Sequence, residues 1–170
     1  MPKSLLERCR PDSIIEFRAA ARERFADGQG ASLGGRRTSA IYLWGYAAEM
    51  TIKAAYFSAI GFGDRRTITM ADLGEARTRG ISRPFTIDWP SQGRFHNVRA
   101  WAELLVKHRL ITPGLAYRFP PFGDEVVEQG RIIGGLWSET LRYHKNIAYL
   151  HEVDRVRVAS KWLLDHSAEL

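Results

Sequence analysis

The sequence predicts an all-α fold, an up-and-down bundle of helices joined by long loops. Apolar residues recur at intervals of three and four along several segments, which places them on one face of a helix. We find no run that alternates apolar and polar residues as a half-buried strand does. Hydrophobic residues make up 45% and charged residues 26% of the 170-residue chain, the balance of a globular protein. We therefore expect a single helical-bundle domain over residues 1–170.

The first helix is predicted to begin at Ile14, because Ser13 is a favourable N-cap residue and Phe17 continues the apolar face. Four glycines then follow within residues 28–35. Glycine gives the backbone more freedom than a helix interior tolerates. The pattern predicts that this helix stops at Gly28 and that residues 28–35 form a loop.

The strongest helical pattern runs from about Arg36 to Ile60, and its length corresponds to about 37 Å of helix. A helix of that length is long enough to be the central strut of a bundle. On it, Glu49 and Lys53 are four residues apart, in the order that favours an ion pair.

Four more segments complete the predicted bundle. A short helix is expected at 69–77, and a proline-containing loop separates it from an amphipathic helix at 95–109. A long apolar-periodic stretch covers 124–141, where three glycines indicate a kink or a close neighbour. The closing helix is predicted at 152–166.

The charge balance favours anionic partners. The net charge of +6 and a pI near 9.8 favour association with anions such as nucleic acid, although basic proteins also use such charge only for solubility. Cys9 is the only cysteine, so the chain forms no internal disulfide and no cysteine-based zinc site, which fits a reducing compartment. We find no signal-like start and no apolar run of membrane-spanning length. The expectation is a cytoplasmic protein with no membrane partner.

The common motifs of catalysis and cofactor binding are missing. The glycine run has neither the preceding strand of a dinucleotide fingerprint nor the Gly-Lys pair of a P-loop. His144 and His151 are seven residues apart, too far for the helical pair that chelates zinc. The sequence has no Gly-x-Ser-x-Gly elbow. We therefore predict no metal, no cofactor and no catalytic nucleophile.

Glu49 is the most informative charged residue, because it lies beside Met50 on an apolar helix. A buried carboxylate needs a cationic partner. A guanidinium binds a carboxylate through two parallel hydrogen bonds, which makes Arg142 the candidate partner. The alternative is that Glu49 forms only a solvated surface pair with Lys53.

Two segments together resemble the HEPN-type helical domains. Residues 42–54, YLWGYAAEMTIKA, are similar to the glycine–tyrosine–glutamate–lysine helix of that family. Residues 137–143, WSETLRY, resemble its tryptophan-to-Arg-Tyr helix end. The resemblance covers mainly residues 36–62 and 124–166. It implies an up-and-down bundle, a homodimer and a link to nucleotide or RNA biology, often in prokaryotic toxin–antitoxin or defence systems.

The sequence departs from the catalytic motif of the HEPN-type family. Its ribonuclease members carry an arginine followed, after four to six residues, by a histidine, and none of the five histidines of this chain has an arginine at those positions. We therefore expect a non-catalytic HEPN-like bundle that binds a nucleotide, an RNA or a partner protein. The expected binding residues are Glu49, Lys53, Arg142, Tyr143 and His144.

Two alternatives stay open at this point. One is a metal-independent ribonuclease toxin whose active site deviates from the family's arginine–histidine motif, with His144 beside Arg142 carrying the chemistry. The other is a structural partner of a nucleotidyltransferase, whose polar cluster only stabilises the fold. An antitoxin is a further partner that the resemblance implies.

Overall fold

A computed structural model describes residues 10–91 and 95–170, and Cys9 lies outside them. Within these ranges the chain forms only helices, so the all-α prediction is confirmed. The α-helices are α1 (Ile14–Leu33), α2 (Arg37–Ala59), α3 (Met70–Ile81), α4 (Val98–Ile111), α5 (Pro121–Gly134) and α6 (Leu150–Asp165), with a 3₁₀ helix (Glu139–Tyr143) between α5 and α6.

Helix α2 is the centre of the bundle. It packs against α1, α4, α6 and the 3₁₀ helix. The side chains of Trp44, Ile52 and Phe57 on it are fully buried. The predicted central helix is therefore confirmed, and its ends differ from the expected ones by one residue each.

The predicted loop at residues 28–35 is wrong over most of its length, because α1 continues to Leu33. Gly28 lies against the indole of Trp44, and a Cβ atom there would be 2.5 Å from the ring nitrogen. The same nitrogen donates a hydrogen bond of 3.1 Å to the Phe25 carbonyl. The glycine thus allows two helices to approach closely, and the turn itself occupies only the residues around Gly35, whose φ is +73°.

The second half of the chain adds α4, α5 and α6 to this pair. Helix α4 packs on α2 and α5, and α6 packs on α2 and α5. Gly130 of α5 faces Ala102 of α4 so closely that a Cβ atom would lie 2.6 Å from the alanine methyl. The stretch predicted at 124–141 is two elements, because α5 ends at Gly134.

Helix α3 begins with a capping box between Thr69 and Asp72 and runs four residues beyond its predicted end. The loop that follows packs inward, with Phe85, Ile87 and Trp89 buried in the core. No helix in the described part of the chain has both the length and the apolar character that crossing a membrane requires.

Candidate functional site

Glu49 and Lys53 form an ion pair inside the bundle. Their side chains are only 2% and 7% exposed, and the two charged groups are in direct contact. The Lys53 ammonium also lies 5.3 Å from the centre of the Trp101 ring. The interpretation of this pair as a solvated surface contact is therefore wrong.

The second partner of Glu49 is His96, which precedes α4. Its Nδ1 lies 3.1 Å from each carboxylate oxygen of Glu49. The histidine side chain is 38% exposed, so it connects the buried carboxylate to solvent. His96 is 47 residues from Glu49 in the sequence, and no local pattern indicates that the two meet.

The predicted Glu49–Arg142 pair is not formed. Arg142 is exposed on the 3₁₀ helix and lies against the Tyr42 hydroxyl, an interaction that raises the pKa of its guanidinium. The guanidinium also stacks over Tyr143, 4.7 Å from the ring centre. The two groups have other partners: the Arg142 guanidinium lies against the Tyr42 hydroxyl, whereas Lys53 and His96 contact the Glu49 carboxylate.

Tyr46 connects the two halves of this arrangement. Its ring contacts Tyr42 edge-on at 5.0 Å and His96 edge-on at 5.7 Å. Burial raises the pKa of the Tyr46 hydroxyl, and Tyr42 and Glu49 raise it further, while Arg142 opposes them. Tyr46 is therefore a neutral hydrogen-bonding group at physiological pH.

Trp137 fixes the 3₁₀ helix to α2. Its indole nitrogen donates a hydrogen bond of 3.0 Å to the Tyr42 carbonyl, and its ring packs edge-on against Tyr46 at 5.2 Å. Gly45 lies directly under the indole, where a Cβ atom would overlap the ring. This contact positions Arg142, five residues later, at the surface of the bundle.

The segment after the 3₁₀ helix is tied to the turn between α1 and α2. The Asn146 side chain accepts a hydrogen bond of 3.1 Å from the Thr38 amide and donates one of 2.9 Å to the Gly35 carbonyl. The Thr38 hydroxyl in turn accepts from the amides of Ile147 and Ala148, at 2.8 and 3.0 Å. These bonds bring two distant parts of the chain to the same end of α2.

The result is a surface that we call the basic end. It consists of Arg36, Arg37, Arg142, Tyr143, His144 and Lys145. Within the described ranges, none of its four arginine and lysine side chains forms an ion pair, and the Tyr143 side chain is 75% exposed. Arg36, Arg37 and Lys145 are not among the residues predicted from the sequence, although the Gly-Arg-Arg segment after the glycine run is a visible signal for the first two.

The five predicted binding residues therefore fall into two groups. Glu49 and Lys53 are buried and join His96, whereas Arg142, Tyr143 and His144 are exposed at the basic end. Residues 10–91 and 95–170 contain no group of three or more histidine, cysteine or acidic side chains arranged to hold a metal ion. The chemistry this arrangement offers is cationic and aromatic contact at the surface, supported by a buried charge network.

Comparison with known proteins gives no match: no protein-family model fits the chain, and neither a curated protein nor a solved structure is significantly similar to it.

Proposed function

We propose that this chain is a non-catalytic HEPN-like bundle that binds single-stranded RNA at the basic end. The observation that carries the proposal is the positive charge of Arg36, Arg37, Arg142 and Lys145, none of which forms an ion pair within the described ranges, together with the exposed ring of Tyr143. Nucleic-acid phosphates bind such cations with release of counterions. An exposed tyrosine offers a face on which a base stacks.

The surroundings of the basic end support an anionic ligand. Glu139 lies on the same 3₁₀ helix, so one carboxylate opposes the four cations. The carboxylate of Glu152 at the start of α6 accepts a hydrogen bond of 2.8 Å from the Tyr149 amide. The local balance therefore stays positive.

The resemblance to HEPN-type domains supports RNA as the polymer. The absence of the arginine–histidine motif of the family's ribonucleases supports binding without cleavage. His144 has no carboxylate partner within the described ranges, so no carboxylate there orients its ring for proton transfer. Arg142 and His144 are separated by only one residue, which does not reproduce the spacing of the family motif.

The test is the salt dependence of binding to a labelled oligouridylate in EDTA, measured by fluorescence anisotropy. Each phosphate contact contributes about 0.7 to the slope of log K against log salt for a single strand. Arg142→Ala and Arg37→Ala should each lower that slope by about this amount. Tyr143→Ala should weaken binding by about 1–3 kcal/mol and leave the slope unchanged.

Arg24→Ala is the matched control, because Arg24 is an exposed arginine paired with Asp27 on α1, outside the basic end. It should leave both affinity and slope at the wild-type values. Equal slopes for Arg142→Ala and Arg24→Ala, or no binding by the wild-type chain, would contradict the proposal. The same samples in the ultracentrifuge show whether the 19.3 kDa chain forms the homodimer that the resemblance implies.

A second candidate function is a metal-independent ribonuclease, and the Glu49–His96 contact favours it. A carboxylate that holds Nδ1 of a partly exposed histidine leaves Nε2 available as a general base. Nε2 would take the proton of an RNA 2′-hydroxyl as its oxygen attacks the phosphorus. The P–O5′ bond breaks, and the leaving 5′-oxygen takes a proton from water. The proton held by Nε2 neutralises the resulting hydroxide, so the products are a 2′,3′-cyclic phosphate and a 5′-hydroxyl.

Electrophoresis of end-labelled RNA in EDTA separates these functions. Retardation without cleavage supports the binding role. Cleavage that His96→Ala abolishes would establish the ribonuclease and overturn the non-catalytic proposal. Cleavage that His144→Ala abolishes instead would identify His144, the residue predicted from the sequence for that role, as the base.

The partner proteins implied by the resemblance, a nucleotidyltransferase or an antitoxin, belong to the same proposal. Ile147, Tyr149 and Leu150 are exposed beside the basic end, next to a cleft of about 390 Å³ between α2 and the start of α6. Exposed apolar side chains that adjoin a cleft are typical of a protein contact. We assign a partner or second copy to this face rather than to the basic end itself.

A further inference from the structure

A cleft of about 660 Å³ lies near the C-terminal end of α4, remote from His96. Helix α4 has 14 residues, so the two sites are on the order of 20 Å apart along it. The volume of the cleft falls in the range of small-molecule sites. The lining residues are Arg109, Gly114, Ala116, Tyr117, Arg118, Phe119, Phe122, Ala168 and Glu169.

Aromatic rings form the apolar walls of this cleft. Tyr117 and Phe122 contact each other edge-on at 5.1 Å, and Phe122 packs on Trp162 of α6 at 5.2 Å. Phe119 also lines the cleft, although 68% of its surface is exposed. Flat apolar walls of this kind suit a planar ring.

The two arginines of the cleft differ in what they contact. Arg109 is engaged with the fold: it donates hydrogen bonds to the carbonyls of Leu115 and Leu170, and it lies 4.5 Å from the centre of the Tyr117 ring. Arg118 is exposed, and in the described part of the chain it has no ion pair or hydrogen-bond partner. Arg118 is therefore the cation available to a ligand.

The remaining electrostatic features act in opposite directions. The N-terminus of α5 begins at Pro121, beside the lining residue Phe122, and the positive end of its dipole favours a negative ligand group. Glu169, which also lines the cleft, disfavours one. These features together favour a ligand with a single acidic group that pairs with Arg118.

We propose that this cleft binds a small planar aromatic compound that carries one acidic group, a carboxylate or a phosphate ester. Its ring lies among Tyr117, Phe119 and Phe122, and its acidic group pairs with the Arg118 guanidinium through charge-assisted hydrogen bonds. The site is independent of RNA binding at the basic end, since the two surfaces share no residue.

The experiment is calorimetric titration with three probes that share one ring. 2-Naphthoate and 2-naphthyl phosphate carry the acidic group, and naphthalene-2-carboxamide is the uncharged analogue. A charge-assisted hydrogen bond corresponds to about a tenfold or larger difference in affinity. We expect at least one of the two acids to bind about tenfold more tightly than the amide, and the tighter acid identifies the preferred headgroup.

Three variants test the placement of the ligand. Arg118→Ala should reduce the affinity for the acids to that for the amide. Phe119→Ala should weaken the binding of acids and amide alike. Both side chains are exposed, so their removal leaves the core intact. Glu169→Gln should tighten the acids by removing a repulsion. Arg24→Ala serves as the control and should change nothing.

Several results would overturn the proposal. These are equal affinities for acids and amide, no binding of any probe, or a loss in Arg118→Ala no larger than in Arg24→Ala. Weaker binding of the acids by Glu169→Gln would also overturn it, because that result assigns Glu169 an attractive role that a purely anionic ligand does not need. Thermal unfolding of each variant confirms that the chain is folded under the conditions of the titration.

Discussion

At the scale of single residues, the Glu49 carboxylate determines the polar interior of the bundle. It is surrounded by Lys53 on its own helix and His96 ahead of α4, and the Lys53 ammonium lies over Trp101. Removing two charges from water is unfavourable, and their mutual attraction offsets that only when both partners are present. The intact pair therefore adds little to the net stability of the fold. Removing either residue, however, would leave the other charge buried without a partner.

Glu49→Ala should destabilise the chain by about 3–5 kcal/mol, because it leaves the Lys53 ammonium buried without its partner. Urea unfolding followed by circular dichroism measures the loss. The control is Asp165→Ala, which breaks an ion pair with Lys161 at the same four-residue separation but with both side chains about half exposed. That variant should lose about 1 kcal/mol or less.

The double variant Glu49→Leu, Lys53→Met tests whether the unpaired Lys53 ammonium causes this loss of stability. It should recover most of the stability lost by Glu49→Ala, since an apolar pair of similar volume carries no uncompensated charge. Equal losses for Glu49→Ala and Asp165→Ala would show instead that water reaches the Lys53 ammonium.

The sequence predicted the surroundings of Glu49 better than its partner. Apolar neighbours on α2 indicate that the carboxylate is buried, and this needs only local information. The partner His96 comes from a loop 47 residues away, and Arg142 is an equally good cation by residue type. The tertiary packing decides between them: it brings His96 to Glu49 and the Tyr42 hydroxyl to Arg142, and such long-range contacts have no local sequence signal.

At the scale of elements, small residues set how closely the helices approach. Gly28 receives the Trp44 indole, Gly45 receives the Trp137 indole, and Gly130 receives Ala102. A glycine inside a helix normally costs about 1 kcal/mol relative to alanine, which is why the sequence favoured a loop at residues 28–35. Contacts with bulky rings from other segments offset that loss and keep the helix continuous.

Gly45→Ala should therefore destabilise the chain by about 1–3 kcal/mol despite the better helix propensity of alanine, because the new methyl group overlaps the Trp137 ring. Gly74→Ala is the matched change in α3, where a Cβ atom meets no other atom within 4 Å. It should stabilise the chain by up to about 1 kcal/mol.

Thermal unfolding of both variants provides the measurement, and the fluorescence of the displaced Trp137 gives an independent signal for Gly45→Ala. Stabilisation by both substitutions would mean that the 3₁₀ helix moves away from α2 without loss. In that case the Trp137–Gly45 contact does not position Arg142.

At the scale of the whole molecule, the fold and the candidate site differ in how they are encoded. Each helix depends on periodicity within its own segment, so the all-α class and most helix positions follow from the sequence. The basic end combines Arg36 and Arg37 with Arg142 and Lys145, more than 100 residues later. Side-chain bonds from Asn146 and Thr38 bring these segments together, and neither residue belongs to a recognisable motif.

The buried core predicts how the chain unfolds, because it is one connected cluster with members from every α-helix of the described ranges. Ile14 of α1, Leu73 of α3, Ile133 of α5 and Leu163 of α6 all belong to it, together with α2 and α4. Losing any one helix would expose apolar surface of its neighbours, so the chain should unfold as a single cooperative unit. Urea unfolding curves from tryptophan fluorescence and from far-ultraviolet circular dichroism should then coincide. The buried Trp44 and Trp101 make the fluorescence sensitive to unfolding of the central helices. Two separated transitions would contradict the prediction that residues 1–170 form one domain.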